Sequence, residues 1–214
     1  MPQVARFWND IAGDFDKIYT GDKSRIGRAL DKWLRKDIYQ RLEWVMQKSG
    51  DVKGKTICDI GCGSGRFVTE FAKRGAAHVT GVDVAPEMLK LAKALVTKDG
   101  VGGVCDFVHT DVLNWKTNQK YDTTIAIGFW DYIMEPPQRL SNIRAITKTQ
   151  FLSAWPRFWT WRMPVRKVRL QYIKGCPVYF FRRPQVYKLI EDAGFRVNSC
   201  EVVGKLFCVD ASPV

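Results

Sequence analysis

The sequence predicts an α/β fold in three layers, with a seven-stranded, mostly parallel sheet between helices on both faces. Short apolar runs, partly β-branched, alternate with segments whose apolar side chains have helical spacing. The run at 56–60 leads directly into glycines at every second position, Gly61, Gly63 and Gly65, and Ser64 is predicted to cap the helix that follows. Since glycine lets a ligand approach the backbone closely, a strand, a glycine loop and a helix together indicate a nucleotide-binding site.

Length and composition indicate a single domain over residues 1–214. A chain of 214 residues can bury a sizeable core, and 46% hydrophobic and 26% charged residues are ordinary for a globular protein. No apolar run approaches the length of a membrane span, and the N-terminus lacks the basic and apolar regions of a secretory signal. We therefore expect a cytoplasmic protein, whose net charge of +12 favours anionic partners.

The six cysteines and two histidines are scattered along the chain without a C-x-x-C pair. This spacing is not that of a zinc site, so we expect no metal. Four of the cysteines, Cys58, Cys105, Cys200 and Cys208, fall in predicted strands. That placement favours buried thiols in a reducing compartment.

Two helices are predicted before the first strand and would form an N-terminal helical cap over residues 1–50. Apolar side chains recur on one face of 4–19 and again from about 24 to 47, and Ser49-Gly50 ends the second helix. Side chains on the outer face of the second helix are largely basic: Lys23, Arg25, Arg28, Lys32, Arg35, Lys36 and Arg41. We expect most residues of this cap to pack on the sheet.

Acidic residues close the second and third predicted strands. The second strand, 78–83, ends at Asp83, 18 residues after the last glycine of the loop. A carboxylate there can accept hydrogen bonds from both hydroxyls of a ribose. The alternative is that Asp83 caps the helix that begins at Pro86. The third strand, 105–110, is followed by Asp111.

An aromatic stretch, 129–133, follows the fourth predicted strand. Open α/β sheets bind ligands at the carboxyl ends of their strands, so Trp130, Asp131 and Tyr132 are candidates for a substrate site. The alternative is that Phe129 and Trp130 are core residues and that Asp131 caps the next helix.

A basic, aromatic insertion, residues 156–183, follows the fifth predicted strand. Between Trp155 and Arg183 there are eight basic residues and no acidic ones. Arginines interleaved with aromatic rings suit a flat or acidic ligand, an anionic lipid surface or RNA. A helix and a hairpin of two strands, in residues 184–214, then complete the sheet.

The acid and glycines that start at Asp59 resemble the first motif of class I S-adenosylmethionine-dependent methyltransferases, which have a Rossmann-like fold. Asp83, Asp111 and Gly128 follow in the order and spacing of that family. The likeness covers a cofactor-binding core, residues 55–155, in detail and the C-terminal part of the chain in outline. Within the class, the layout loosely resembles magnesium-protoporphyrin O-methyltransferases and other small-molecule methyltransferases.

The resemblance implies that S-adenosyl-L-methionine is the cofactor. It implies that the acid after the third strand accepts the adenine amino group and that the backbone near Gly128 contacts the methionine part. The residues assigned in this way to the cofactor are Tyr19, Asp59, Gly61, Cys62, Gly63, Asp83, Val84, Met88, Asp111, Val112 and Gly128.

On the acceptor side, we expect Asp131 and Tyr132 to be catalytic and Trp130 to contact the substrate. The insertion would be a lid that holds the substrate through basic side chains. Those side chains are Arg157, Arg162 and Arg166.

The expected reaction is in-line transfer of a methyl group to an oxygen of a small or lipid-like anionic acceptor, with alignment as the main source of catalysis. The alternative is an RNA- or membrane-associated methyltransferase or binding module, with peripheral membrane contact. Nucleic acid is disfavoured because the Asn/Asp-Pro-Pro-Tyr pattern of amide and nucleobase methylation is absent. A nicotinamide-dependent oxidoreductase is disfavoured since the third glycine comes one residue too early for its fingerprint.

Overall fold

A computed structural model describes the backbone of residues 2–20, 38–158 and 176–214, and the side chains of these residues except 13–20. The strands in this part of the chain are β1 (Thr56–Ile60), β2 (His78–Asp83), β3 (Cys105–His109), β4 (Tyr121–Ile127), β5 (Thr147–Pro156), β6 (Phe195–Val203) and β7 (Leu206–Pro213). The helices are α1 (Pro2–Thr20), α2 (38–49), α3 (Arg66–Lys73), α4 (Pro86–Lys98), α5 (Pro136–Ile146) and α6 (Arg183–Asp192), with single 3₁₀ turns at Gly102–Val104 and Trp130–Tyr132.

Within the described residues, the strands form one seven-stranded sheet in the order β3-β2-β1-β4-β5-β7-β6. Strands β1 to β5 pair parallel with one another, and β7 pairs antiparallel with both β5 and β6. The predicted mostly parallel sheet is therefore confirmed. The chain order reverses at β1, which lies between β2 and β4, and open α/β sheets bind ligands at such a switch point.

Two apolar layers cover the two faces of the sheet, as the predicted three-layer fold requires. Alternate side chains of one strand reach different layers: Ile125 and Ile127 of β4 face one, and Ala126 faces the other. Helices α2, α3 and α4 contribute to the first layer, and α5 and α6 to the second. Because both faces are covered, the parallel strands are continuous apolar runs in the sequence.

Helix α1 lies against the start of α4. Ala12 packs with Ala85 and Met88, and the Asn9 side-chain oxygen accepts a hydrogen bond from the Glu87 backbone N–H at 3.2 Å. The N–H groups in the first turn of a helix have no partner within the helix, so Asn9 satisfies one of them. This contact places α1 beside the carboxyl end of β2.

Several predicted boundaries need correction. Strand β5 begins at Thr147, three residues before Gln150, where the sequence predicts its start. Thr147 directly follows α5 and has extended backbone angles (φ −92°, ψ 125°). Ser64 is not the cap of α3, because the N-cap is Gly65, with a φ of 77° and no side-chain hydrogen bond. Strand β7 continues to Pro213, beyond Asp210, where the sequence predicts the last strand to end. The predicted second helix extends to residue 49, and its first part, 24–37, lies outside the described residues.

The two ends of the predicted insertion meet beside β5. Arg157 forms a parallel bridge with Phe181, whose N–H donates to the Pro156 oxygen at 2.8 Å. The Phe181 ring is buried against Trp155, with ring centroids 5.0 Å apart. Residues 159–175 lie outside the described residues, and so do two of the predicted substrate contacts, Arg162 and Arg166.

Candidate active site

A cavity of about 310 Å³ opens at the carboxyl ends of β1, β2 and β4. Its wall includes the glycine loop, the ends of the strands beside it, and side chains from α1 and α2. The volume is in the range of small-molecule sites, and the position is the switch point of the sheet.

All three loop glycines have a positive φ, but the space around their Cβ positions differs. A Cβ on Gly61 (φ 74°) would lie 2.9 Å from a ring carbon of Phe129, and one on Gly65 (φ 77°) would lie 2.7 Å from the Ala92 Cβ. Gly63 (φ 52°) lines the cavity, and among the described residues no atom lies within 4 Å of its Cβ position. The first and third glycines therefore serve packing, whereas the second leaves the backbone open to a ligand.

The Asp83 carboxylate lies in the cavity wall and fastens the glycine loop. Its Oδ2 accepts the Gly63 N–H at 2.9 Å, and its Oδ1 accepts the Ala85 N–H at 2.8 Å. Burial raises the pKa of Asp83, while backbone hydrogen bonds and the nearby His109 partly offset the rise. Helix α4 has Ala85 as its N-cap, without a side-chain cap, so Asp83 is not the helix cap of the alternative interpretation.

Asp59, the first residue of the motif, lies beneath the loop instead of in the cavity wall. Only 1% of its surface is exposed, and its Oδ2 has no hydrogen-bond partner among the described residues. Burial raises the pKa of Asp59 well above its ordinary value, and the charge of Asp83 adds to the rise. The predicted direct contact of Asp59 with the cofactor therefore needs correction, because strand alternation turns this side chain to the face of the sheet that Ile57 shares, where it is covered by the first apolar layer.

The end of the cavity beside β2 and β3 is largely apolar. Val84, Met88 and Val112 line it, as predicted for the cofactor, together with the predicted acid Asp111. The Asp111 Oδ2 accepts a hydrogen bond from Arg139 Nη2 at 2.9 Å. This end of the cavity therefore offers apolar surfaces and one anionic edge.

The other side of the cavity combines the loop after β4 with α1. Gly128, Asp131 and Tyr132 line it, and so does Trp8. The Trp8 and Tyr132 rings meet edge to face, with centroids 5.6 Å apart. Asp131 is only 4% exposed, and it does not cap the next helix because the N-cap of α5 is Glu135. An acidic and a phenolic side chain therefore line this side of the cavity.

Trp130 is wrongly predicted as a substrate contact. Its side chain is fully buried and stacks on Trp155, with ring centroids 4.2 Å apart and an interplanar angle of 6°. Residues 130–132 form one 3₁₀ turn, whose successive side chains point in different directions. Asp131 and Tyr132 consequently reach the cavity while Trp130 enters the core, as the alternative interpretation expected for this residue.

Arg157 is also turned away from the cavity. Its guanidinium lies over the Phe207 ring, 5.5 Å from the centroid, and its Nη1 donates to the Gly204 oxygen at 3.4 Å. Both contacts are with the β6–β7 turn. The predicted substrate role of Arg157 is therefore corrected to a packing role at the edge of the sheet.

Arg41 is a cavity residue that sequence reasoning assigned to the solvent-facing side of α2. Its Nη1 lies 3.7 Å from the Cβ position of Gly128, and both residues line the cavity. A signal was present in the sequence, because Arg41 is three residues after Ile38, and positions three apart share a helix face. Arg66 also lines the cavity, as the first residue of α3.

The thiols near the cavity are packing groups. Cys62 lines the cavity, and burial raises its pKa, with the charges of Asp59 and Asp83 adding to the rise. Its sulfur lies 2.9 Å from the Cβ position of Gly81, so β2 can pass the loop only because that residue has no side chain. The predicted cofactor contact Tyr19 belongs to α1, but its side chain is outside the described part.

The described residues lack two further features. No group of three or more histidine, cysteine, aspartate or glutamate side chains is arranged there to hold a metal ion. Among the helices of the same residues, none is long and apolar enough to cross a membrane.

Comparison with known proteins identifies the domain. Residues 57–150 match the family model described as a methyltransferase domain. The ubiquinone biosynthesis O-methyltransferase of Aeromonas salmonicida is 32% identical over 145 residues, which are 68% of this chain and 54% of that protein. The protein of the same name from Bordetella avium is 28% identical over 108 residues, which are 50% of this chain and 44% of that protein. The chain thus spans about half the length of these curated relatives.

Solved structures share the fold over nearly the whole chain. Magnesium protoporphyrin IX methyltransferase from Synechocystis PCC 6803 with bound S-adenosylhomocysteine superposes with a TM-score of 0.78 at 20% identity, covering 99% of this chain and 98% of that one. A structure of the same protein with bound S-adenosylmethionine gives a TM-score of 0.77 at 18% identity, covering 99% of this chain and 95% of that one. An S-adenosylmethionine-dependent methyltransferase from Mesorhizobium loti gives 0.67 at 16% identity, covering 82% and 97%.

The matched family model and the shared fold agree with the motif that starts at Asp59 and with the position of the cavity. The resemblance stated from the sequence is thereby confirmed. Residues 57–150 carry a methyltransferase domain, and the chain has the Rossmann-like fold that S-adenosylmethionine-dependent methyltransferases share.

Proposed function

We propose that this chain is an O-methyltransferase that moves the methyl group of S-adenosylmethionine to a small or lipid-like anionic acceptor. One observation carries the proposal: a single cavity joins the open glycine loop and Asp83 to the aromatic and acidic side chains Trp8, Asp131 and Tyr132. A donor in the first half would meet an acceptor in the second half.

The cavity residues fit the cofactor. The backbone at Gly63 is open to a ligand, and the Asp83 carboxylate lies in the wall with lone pairs left to accept ribose hydroxyls. When bound, the cofactor supplies a methyl group on a positively charged sulfur. The work of the protein is then to hold the acceptor in line and to exclude water.

Asp131 and Tyr132 are proposed to act on the acceptor. Both line the cavity beside Gly128, where the methionine part of the cofactor would lie. A carboxylate at that position can take the proton of an acceptor hydroxyl, which contributes about 10²–10⁴-fold to the rate, and a phenol can orient that hydroxyl through a hydrogen bond. An acceptor that is already a carboxylate would use these groups for orientation only.

The acceptor is proposed to be flat and anionic. The Trp8 and Tyr132 rings, which meet edge to face, offer aromatic surfaces to a flat acceptor, and Arg66 brings positive charge to the same cavity. The names of the relatives refer to ubiquinone biosynthesis and magnesium protoporphyrin IX, which supports a small-molecule acceptor. Peripheral membrane contact remains part of the proposal for a lipid-like acceptor.

The test uses cofactor with a labelled methyl group and a cell lysate separated into small molecules, lipids, RNA and protein. We expect label in the small-molecule or lipid fraction and its loss with Asp131→Asn, which should keep the affinity for S-adenosylhomocysteine. Label in RNA or protein would contradict the proposed acceptor. Binding of NAD without binding of S-adenosylhomocysteine would contradict the reaction itself.

A further inference from the structure

Two side chains of α5 hold a segment of the cavity wall. Arg139 Nη2 donates to Asp111 Oδ2 at 2.9 Å. One turn later, Asn142 Nδ2 donates to the carbonyl oxygens of Val112 and Leu113 at 2.9 and 3.0 Å. Positions three apart lie on one face of a helix, so the two side chains act on the same short segment.

Arg139 and Asn142 together form a clamp on this segment. Its ion pair, between Arg139 and Asp111, is nearly inaccessible to water. The side chains of Arg139 and Asp111 are 9% and 12% exposed. Water cannot easily replace the guanidinium as partner of the carboxylate, and a buried charge depends strongly on its partner. The Asp111 Oδ1 accepts the Leu113 N–H at 3.0 Å. Donors on both oxygens therefore fix the plane of the carboxylate.

The fixed carboxylate still has capacity to accept a ligand donor. Two oxygens offer about four lone-pair sites, and the contacts from Arg139 and Leu113 use one on each oxygen. Asp111 and Val112 line the cavity with Val84 and Met88. Two apolar surfaces and one anionic edge match a flat nucleobase that carries an exocyclic amino group.

We propose that Arg139 and Asn142 are positioning residues that make this cavity selective for the 6-amino group of adenine, acting through Asp111. The inference rests on the proposed function, since it concerns the cofactor of that reaction. Neither residue carries a sequence signal, because both belong to a helix of the opposite layer that follows a later strand.

The same helix offers a matched control. The Arg144 guanidinium donates to the carbonyl oxygens of Gly194 and Val214 at 2.8 and 2.7 Å. These partners belong to the C-terminal part of the sheet and are not among the residues that line the cavity. Arg144→Gln removes comparable anchoring contacts without touching the segment at Asp111.

The experiment measures, by calorimetry, the affinities of S-adenosylhomocysteine and of its analogue with hydrogen in place of the 6-amino group. The wild-type chain should prefer the amino compound by about 10- to 150-fold, which corresponds to one hydrogen bond to a charged acceptor. Arg139→Gln should bring this preference to within about threefold of unity, and Asn142→Ala should lower it about threefold. Arg144→Gln should leave it unchanged while lowering the melting temperature.

The ratio of two affinities on one preparation does not depend on the fraction of folded protein. An unchanged preference in Arg139→Gln, with both affinities reduced alike, would show that the clamp is only structural. If that variant does not fold, Asn142→Ala and Arg139→Lys, which keeps the charge and should retain part of the preference, decide the question. If the wild-type chain binds neither compound, the proposed function fails instead.

Discussion

The substitution Asp83→Asn removes one negative charge from the cavity wall with almost no change in volume. The carboxylate accepts N–H groups from both sides, Gly63 at 2.9 Å and Ala85 at 2.8 Å. An asparagine side chain has only one acceptor oxygen, so in either orientation its NH₂ group faces one of these donors. The variant should therefore lose stability, by about 1–3 kcal/mol for the backbone donor left unpaired.

Asp83→Asn should also weaken the binding of the cofactor. Two ribose hydroxyls bound to the Asp83 carboxylate are together worth at least about 3 kcal/mol. The remaining amide oxygen can return about 1 kcal/mol through one neutral hydrogen bond. The net loss of about 2 kcal/mol corresponds to about a 30-fold rise in Kd for S-adenosylhomocysteine.

Asp122→Asn is the matched control for this measurement. The Asp122 carboxylate accepts the Thr56 N–H and hydroxyl, both at 2.8 Å, at the amino ends of β1 and β4 and therefore at the edge opposite the cavity. Its variant should lose stability without changing the Kd measured by calorimetry. An Asp83→Asn chain that is folded and has wild-type affinity would refute the ribose assignment and leave Asp83 as a fastener of the loop.

The pH dependence of binding is an independent test of Asp83. Burial raises the pKa of Asp83, so the ionised acceptor is lost at a higher pH than for an ordinary aspartate. Affinity for S-adenosylhomocysteine should consequently fall on mild acidification in the wild type. It should stay flat over the same range in Asp83→Asn, and a parallel fall in both proteins would contradict the assignment.

Three further predictions concern the surroundings of the loop. Burial and the charge of Asp83 raise the pKa of Asp59, so its contribution to stability is complete below the ordinary carboxyl pKa and falls as the pH rises toward the raised value. The free energy of unfolding in urea should therefore increase in Asp59→Asn relative to the wild type from about pH 4 upward. A difference that stays constant with pH would contradict this. Gly65→Ala would place a Cβ 2.7 Å from the Ala92 Cβ at a φ of 77°, and thermal unfolding should show a loss of at least about 2 kcal/mol. Arg41→Gln should weaken the binding of S-adenosylhomocysteine about tenfold but not that of methylthioadenosine, which lacks the carboxylate. Equal losses of affinity for both compounds would refute a carboxylate contact.

The cofactor half of the cavity could be predicted because its residues follow strand ends in order. Parallel strands bring their carboxyl ends to one edge, so Asp83, Asp111 and Gly128 had to lie near the glycine loop. The same local logic failed for Asp59, because its position before the glycines does not show which face of the sheet its side chain joins. Sequence spacing thus predicted the backbone frame and left the direction of single side chains open.

The acceptor half depends on contacts between distant parts of the chain. Trp8 reaches the cavity because α1 packs on α4, and Arg41 because α2 covers the loop. Periodicity predicts that such helices have an inner face but not which strand end that face covers. Trp130 shows the converse error: its position after β4 favoured a ligand contact, whereas Trp155, 25 residues later, takes it into the core.

The acceptor half of the cavity is fixed by contacts that differ from those of the glycine loop. The Tyr179 N–H donates to the Asp131 backbone oxygen at 2.8 Å, and the stacked ring of Trp130 anchors the same turn from the core side. Helix α1 is held through Asn9 and a backbone N–H. These contacts hold the acceptor half, whereas Asp83 of β2 holds the glycine loop, so the two halves of the cavity are anchored separately. The identity of the acceptor should therefore depend on a few side chains of this wall, while the cofactor site stays constant.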